Sequence, residues 1–287
     1  FNEATPVFTK DGNTIYFTRN NYLKKRGFDD ERITLLKIYR ATQKDGKWTD
    51  ITELPFNSND YNVAHPALSS DEKWLYFASD MPGTLGDADI WKVAINADGT
   101  FGTPINLGSK VNTEGRESFP FVTSENELYY ASTGKQGLGG MDVFVSKITG
   151  NSYDEAINVG KPINTPMDDF AFYFDPTTRT GFLSSNREGG QGYDDIYKFT
   201  EIKKLACEHL LAGTVTDVET GKILADAKVS LFDQNNKLIA TTVSDKNGKY
   251  SFGKEYVKCD TSYRVRAEKE KYSTEEKYIK TPKSTGE

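Results

Sequence analysis

Histidine and cysteine are scarce in these 287 residues: His65, His209, Cys207 and Cys259 are all there are. Without a cluster of such ligands a zinc site has little to be built from, and no metal or other cofactor is expected. Long apolar runs are missing too. The longest, Phe170 to Phe174, is five residues, far below the roughly 20 that a spanning helix requires, so no transmembrane helix is expected. Basic clusters are limited to Lys24-Lys25-Arg26, the net charge is −6, and the acidic excess sits in the first 204 residues. A surface without a basic stripe cannot neutralise a phosphate backbone, which excludes nucleic-acid binding as a class. The sequence contains neither a Gly-x-Ser-x-Gly nucleophile elbow nor a phosphate-binding Gly-rich loop, and Cys207 and His209 lie together at a domain boundary, where no pocket is expected. Catalysis within this chain is therefore not expected. No charged segment followed by an apolar stretch follows Phe1, which reads as a processed chain or an excised fragment and leaves the compartment to be inferred from elsewhere.

Aromatic residues are abundant, with 16 Tyr and 17 Phe. Together with 36% apolar and 27% charged residues this describes a folded chain of about two domains.

The first two hundred residues repeat. Asp89-Ile90-Trp91, Asp142-Val143-Phe144 and Asp195-Ile196-Tyr197 recur at intervals of 53, and a degenerate copy, Lys37-Ile38-Tyr39, stands 52 before Asp89. Upstream of each lies an aromatic run: Ile15-Tyr16-Phe17, Leu75-Tyr76-Phe77, Leu128-Tyr129-Tyr130 and Gly181-Phe182-Leu183. Polar turn formers and a further short apolar segment precede these, and a fourth segment such as Ile105-Asn106-Leu107-Gly108 or Ile157-Asn158-Val159-Gly160 follows. Four short strands per repeat, with no helical periodicity, predict propeller blades.

The pattern strand, Asp-Gly turn, Leu-Tyr-Phe strand, Gly-rich turn, Asp-Ile-Trp strand resembles the TolB-like, WD-type (PD40) propeller repeat over residues 1–200. Gly83, Gly86, Gly137, Gly139, Gly140, Gly189, Gly190 and Gly192 fall in the turn before the acid, where positive φ is expected. The first copy carries an eight-residue insertion within 21–34, holding Tyr22, Lys24, Lys25, Arg26 and Phe28, a candidate recognition loop on a rigid scaffold. The last copy has only three strands before the composition changes. In a closed propeller the other end of the chain supplies the missing one; the resemblance implies six blades, so either further blades lie upstream or four close as a smaller ring.

Residues 201–206 read as a charged linker to a second, smaller all-β domain, 207–287. Strands are expected at Ala212–Val215, Lys228–Phe232, Ile239–Val243 and Tyr263–Ala267, separated by turns such as Asp245-Lys246-Asn247-Gly248, the pattern of a small β-sandwich. The residues Gly213-Thr214-Val215, Asp217, Thr220-Gly221, Ala227-Lys228-Val229, Ser244-Asp245 and Asn247-Gly248-Lys249-Tyr250 resemble the carboxypeptidase regulatory-like family. That resemblance implies a prealbumin-like, non-catalytic interaction or spacer module, and a final strand after Thr281 that this chain lacks. Cys207 and Cys259 flank it and are candidates for a disulfide, with unpaired thiols as the alternative.

Three further constellations carry candidate chemistry. The repeated acids Asp89, Asp142 and Asp195 either accept hydrogen bonds from turn amides, the stronger reading, or ligate a cation. Glu3, Glu117 and Asp168 precede the innermost strands at what read as equivalent repeat positions, with His65 nearby; at a channel mouth they are either solvated rim charge or a ring for a cation or basic peptide. Trp48, Trp74 and Trp91 occupy repeat positions and are expected in the packing between blades rather than on a sugar platform.

The order of propeller and regulatory-like domain resembles OmpA-family envelope proteins of Bacteroidetes, in particular the PorE-type component of the type IX secretion and gliding machinery. The resemblance implies a non-enzymatic periplasmic scaffold, associated with the outer membrane or peptidoglycan. Its protein partners would be secretion machinery and outer-membrane proteins, and peptidoglycan contact would come through a domain outside this chain. The alternative is a sensor for a small ligand, glycan or peptide at the channel mouth.

Overall fold

The computed structural model describes residues 3–20, 34–202, 209–253, 255–258 and 261–282. Tyr22, Lys24, Lys25, Arg26, Phe28, Cys207 and Cys259 lie outside them. The chain divides into two compact units, Phe1–Lys203 and Lys204–Glu287, and among the described residues every regular element is a strand.

The first unit is four antiparallel sheets. The first runs β1 (Glu3–Phe8), β2 (Thr14–Asn20), β3 (Leu36–Lys44), β4 (Lys47–Glu53), and the second β5 (Val63–Leu68), β6 (Trp74–Ser79), β7 (Asp89–Ala94), β8 (Ile105–Asn106). In the third, β9 (Glu117–Val122), β10 (Glu127–Ser132) and β11 (Asp142–Thr149) are followed by two short strands, β12 (Ser152–Tyr153) and β13 (Ile157–Asn158), both paired to β11. The fourth has three strands, β14 (Asp169–Asp175), β15 (Thr180–Ser185) and β16 (Asp195–Thr200). Each sheet is a meander, so each repeat makes one blade.

Alternation along the strands gives every sheet two apolar faces, and consecutive sheets bury them against each other. Tyr16 and Ile38 of the first sheet pack with Leu75, Phe77, Trp91 and Val93 of the second. Tyr76 and Ile90 of the second pack in turn with Leu128, Tyr130 and Phe144 of the third. Tyr129 and Val143 of the third meet Leu183, Tyr197 and Phe199 of the fourth. The same two faces interlock three times. The leading face of the first sheet, Ile15, Phe17, Tyr39 and Ala41, forms a separate small cluster. On the trailing face of the fourth, Phe182 and Ile196 are 39% and 77% exposed, although their counterparts Tyr76 and Ile90 are 2% and 0%. No described strand of the first sheet adds to the fourth; the closure by a strand from the other end that the repeat suggested is not made by the described residues.

In the second unit β17 (Leu211–Thr214) pairs β20 (Lys249–Phe252), and β18 (Lys228–Phe232), β19 (Leu238–Val243), β21 (Ser262–Glu268) and β22 (Glu275–Lys280) form a sheet in the order β19-β18-β21-β22. Leu211 and Phe252 from one sheet and Val229, Leu231, Tyr263 and Val265 from the other share a core. Strand β22 escaped the sequence reading because its residues, EEKYIK, are mostly charged. It is an edge strand, where charge blunts the open hydrogen-bonding row, and Glu276 on it accepts from Arg264 and Arg266 of β21 at 2.6 and 2.8 Å.

Candidate functional site

The innermost strands β1, β5, β9 and β14 share one irregularity. Their third residues, Thr5, His65, Phe119 and Ala171, all have positive φ, between 45° and 55°, and each strand shifts register against its neighbour just there. This bulge fixes the repeat alignment. It makes Glu3, Val63, Glu117 and Asp169 equivalent, each the first residue of its strand. Asp168 is therefore one residue out of register with Glu117, and one residue in a strand exchanges one face for the other.

The correction changes the chemistry. Glu117 and Asp169 are both fully buried. Glu117 accepts from the Thr113 amide and hydroxyl, each at 2.7 Å, and from the Ser132 hydroxyl at 2.5 Å. Asp169 accepts from the Thr165 amide and hydroxyl at 2.6 and 2.9 Å, and its other oxygen pairs with Arg187 at 2.6 Å. Asp168 accepts from the Met141 amide at 2.9 Å, and Glu3 is a half-exposed partner of Arg19 at 3.3 Å. The acids therefore do not act as one ring: the buried pair Glu117 and Asp169 clamp the entry to their own blades, while Glu3 stays at the surface.

A second repeated device holds the third strands. The side chain of Asn112 accepts from the Ile90 amide at 2.8 Å and donates to the Ile90 carbonyl at 3.0 Å. Asn164 does the same to Val143, at 2.8 Å both ways, and Asn57 to Ile38 at 3.0 and 2.7 Å. An asparagine amide is thus used as one rung of a ladder. Asn106 and Asn158 support it by accepting from Asn112 and Asn164 at 2.9 and 2.8 Å. The sequence reading missed this clasp, whose signal is visible in Ile105–Thr113 and Ile157–Thr165, where Ile-Asn is followed after five residues by Asn-Thr.

The repeated acids serve the turns. Asp89 accepts from the Leu85 amide at 2.8 Å and the Asn106 side chain at 2.6 Å; Asp142 from Leu138 and Gly139 at 2.8 and 2.9 Å; Asp195 from Gln191 and Gly192 at 2.8 and 3.0 Å. Burial pushes the Asp142 carboxyl up from its ordinary value. Among the described residues no group of three or more His, Cys, Asp or Glu side chains is arranged to hold a metal ion. The turn glycines need a different explanation from the expected one, since of the eight only Gly83 and Gly189 have positive φ. At Gly137 and Gly190 a Cβ would collide with the carboxylates of Asp142 and Asp195, so the turn excludes a side chain in order to bring its amides to the acid.

The nearest approach to a ligand-type constellation at the inner strands is aromatic. His65 stacks on Phe119 at 3.9 Å between ring centroids, and Phe119 lies 5.1 Å from Phe170. The His65 amide donates to Thr18 at 2.9 Å, and its Nδ1 is buried without a partner among the described residues. Burial, then the positive charge of Arg116, pulls this imidazole down to about 4. The unfolded chain takes up a proton near pH 6.5 that the folded one refuses until about pH 4. The first unit is therefore expected to lose on the order of 2–3 kcal/mol as the pH falls through that window, with no further loss from this group below it. Urea unfolding at pH 7, 5.5 and 4 checks this: His65→Asn, which tolerates the positive φ, should remove that part of the slope, and an unchanged slope would refute the assignment.

Of the tryptophans, Trp91 is 7% exposed within the core between the first and second sheets, and Trp48, at 38%, packs against Phe8 on the open side of the first. Trp74 lies under the Lys92 ammonium.

No curated protein matches this chain. Among solved structures, a puromycin-hydrolyzing peptidase of Mycobacterium tuberculosis is similar at 14% identity and TM-score 0.44, over 81% of this chain and 34% of that one. An α-L-arabinofuranosidase of Lactobacillus brevis is similar at 14% and 0.44, over 69% of this chain and 72% of that one. The α-L-arabinofuranosidase PaAbf62A of Podospora anserina gives 11% and 0.40, over 99% and 85%. The chain spans about a third of the length of the peptidase it matches. Residues 211–286 match the family model of the carboxypeptidase regulatory-like domain. The chain is thus an all-β protein in which a propeller-like array of blades is followed by a carboxypeptidase regulatory-like β-sandwich.

Proposed function

We propose that this chain is a non-enzymatic scaffold that docks protein partners. The observation that carries the reading is that the polar constellations created by the repeat are engaged by the chain's own backbone. The acids at 89, 142 and 195 hold turns, the asparagines at 57, 112 and 164 hold strands, and Glu117 and Asp169 hold blade entries. Such groups build a rigid frame and leave little reactive chemistry free. Together with the order of its two domains, which resembles PorE-type, OmpA-family envelope proteins of Bacteroidetes, this supports a place in the periplasm within the type IX secretion and gliding machinery. There it would link envelope components to a peptidoglycan-anchored protein.

Crosslinking the full-length protein in intact envelopes, against a version lacking residues 1–204, tests this. Loss of secretion-machinery or outer-membrane partners from the shortened protein is the expected result, and retention of the same partners would refute docking through the blades. A second reading, ligand sensing at the inner strands, is favoured by the ring stack of His65, Phe119 and Phe170. It requires the His65 ring resonances to shift on adding a ligand, and loss of partners without any such shift decides for the scaffold.

A further inference from the structure

Between the outer parts of the second and third sheets lies a cleft of about 260 Å³, lined by Lys92, Ile105, Leu107, Lys110, Ser152 and Tyr153 among others. Lys92 is the unusual member. It sits on β7, opposite Ile105 of β8, on the face that the second sheet turns toward the third. The residue is only 5% exposed, with the ammonium 4.5 Å from the centre of the Trp74 ring and 5.2 Å from that of Tyr153. Tyr153 is itself fixed, its hydroxyl 3.1 Å from that of Tyr76 in the core between the two sheets. No described carboxylate pairs with Lys92, and burial alone pulls its ammonium below its ordinary value. The other buried cations among the described residues of this unit differ: Lys37 meets Glu53 at 2.6 Å, and Arg19 meets Glu3 at 3.3 Å.

Two aromatic faces give a cation partial compensation, but they leave a buried lysine short of the anion that would balance it. The cleft opens beside the lysine, so an anion could reach it there without disturbing the core. At the rim Lys110 is an exposed second cation, and Asn151, in the turn before β12, and Ser152, the first residue of β12, are exposed and polar. Asn106 also lines the cleft but is fully engaged by Asp89, Gly108 and Asn112. The remaining walls, Ile105, Leu107 and the Tyr153 ring, are apolar.

We infer that this cleft binds a small hydroxylated carboxylate, with the carboxylate on Lys92 and Lys110, the hydroxyls toward Asn151 and Ser152, and the C–H face of the ligand on the apolar walls. A single negative charge is favoured over a phosphate dianion, because the cost of removing an ion from water rises with the square of its charge. Lysine moreover lacks the planar fork with which arginine grips phosphate. The size suits one sugar acid.

Titration of the full chain with D-glucuronate, followed through the lysine side-chain methylene resonances, tests the inference, with D-glucose as the neutral control and inorganic phosphate as the competing anion. Glucuronate is expected to shift the Lys92 signal to saturation and raise its titration midpoint, since a bound carboxylate favours the ammonium, while glucose leaves it unmoved. Lys92→Met should weaken binding at least ten-fold. Lys110→Ala, at an exposed position that folding does not need, should weaken it several-fold without changing the melting temperature. A saturating response to phosphate that is tighter than to glucuronate, no response to glucuronate, or unchanged affinity in Lys110→Ala together with a folded Lys92→Met would each overturn it.

Discussion

Replacing Arg187 by alanine is expected to destabilise the blade unit by about 3–5 kcal/mol, the loss seen when one partner of a buried ion pair is removed. Its guanidinium does four things at once: it pairs with the fully buried Asp169 at 2.6 Å, donates to the carbonyls of Ile163 and Pro162 at 2.7 and 3.2 Å, donates to Ser185 at 3.0 Å, and lies 4.7 Å from the centre of the Tyr197 ring. Alanine would strand the Asp169 charge in the core. Adding Asp169→Asn to Arg187→Ala should then recover part of the loss, because the neutral amide needs no cation. All three tryptophans, Trp48, Trp74 and Trp91, lie in the first unit, so their fluorescence in urea reports this transition and not that of the sandwich. Equal destabilisation by the single and double variants would show that the stranded Asp169 charge is not the source of the loss.

The second large effect concerns the asparagine clasp. Asn164→Leu removes both hydrogen bonds to Val143 and the one to Asn158, in a fully buried position. The Val143 carbonyl keeps the Val159 amide at 3.2 Å, but the Val143 amide is left unpaired in the core, and one such group costs about 1–3 kcal/mol, which is the loss expected. The same exchange at Asn57 should cost less, since that side chain is half-buried and water can replace part of what it provides. Urea midpoints for the two variants check the order, and a larger loss at Asn57 would mean that the clasp matters for reasons other than desolvated backbone.

The two effects sit where the sequence was hardest to read. Strand positions were legible because the Leu75-Tyr76-Phe77 and Asp89-Ile90-Trp91 segments recur with fixed spacing, and period-2 alternation of apolar residues is a local property of the chain. The inner-strand acids were legible as a class but were placed one residue off in the fourth repeat, where Asp168 and Asp169 are adjacent and only the bulge at Ala171 decides between them. Arg187 carried no repeat signal at all, since Met81, Gly134 and Arg187 follow the second-strand serine at the same distance and only one of them is charged. Strand β22 was hidden by charge that is normal for an edge.

What the sequence by itself determined is the all-β class, the four blade repeats, the turn acids and the change of domain near residue 200, because each follows from short-range pattern and composition. Tertiary structure alone decided that Glu117 and Asp169 are buried, that Asn57, Asn112 and Asn164 pair the amides of Ile38, Ile90 and Val143, and that Lys92 is enclosed by two aromatic rings without a counter-charge among the described residues. The enclosure of Lys92 depends on Tyr153 arriving from the next blade, where its hydroxyl meets that of Tyr76, 77 positions away in the chain. No local pattern encodes that arrival; the stacking of one sheet on the next does.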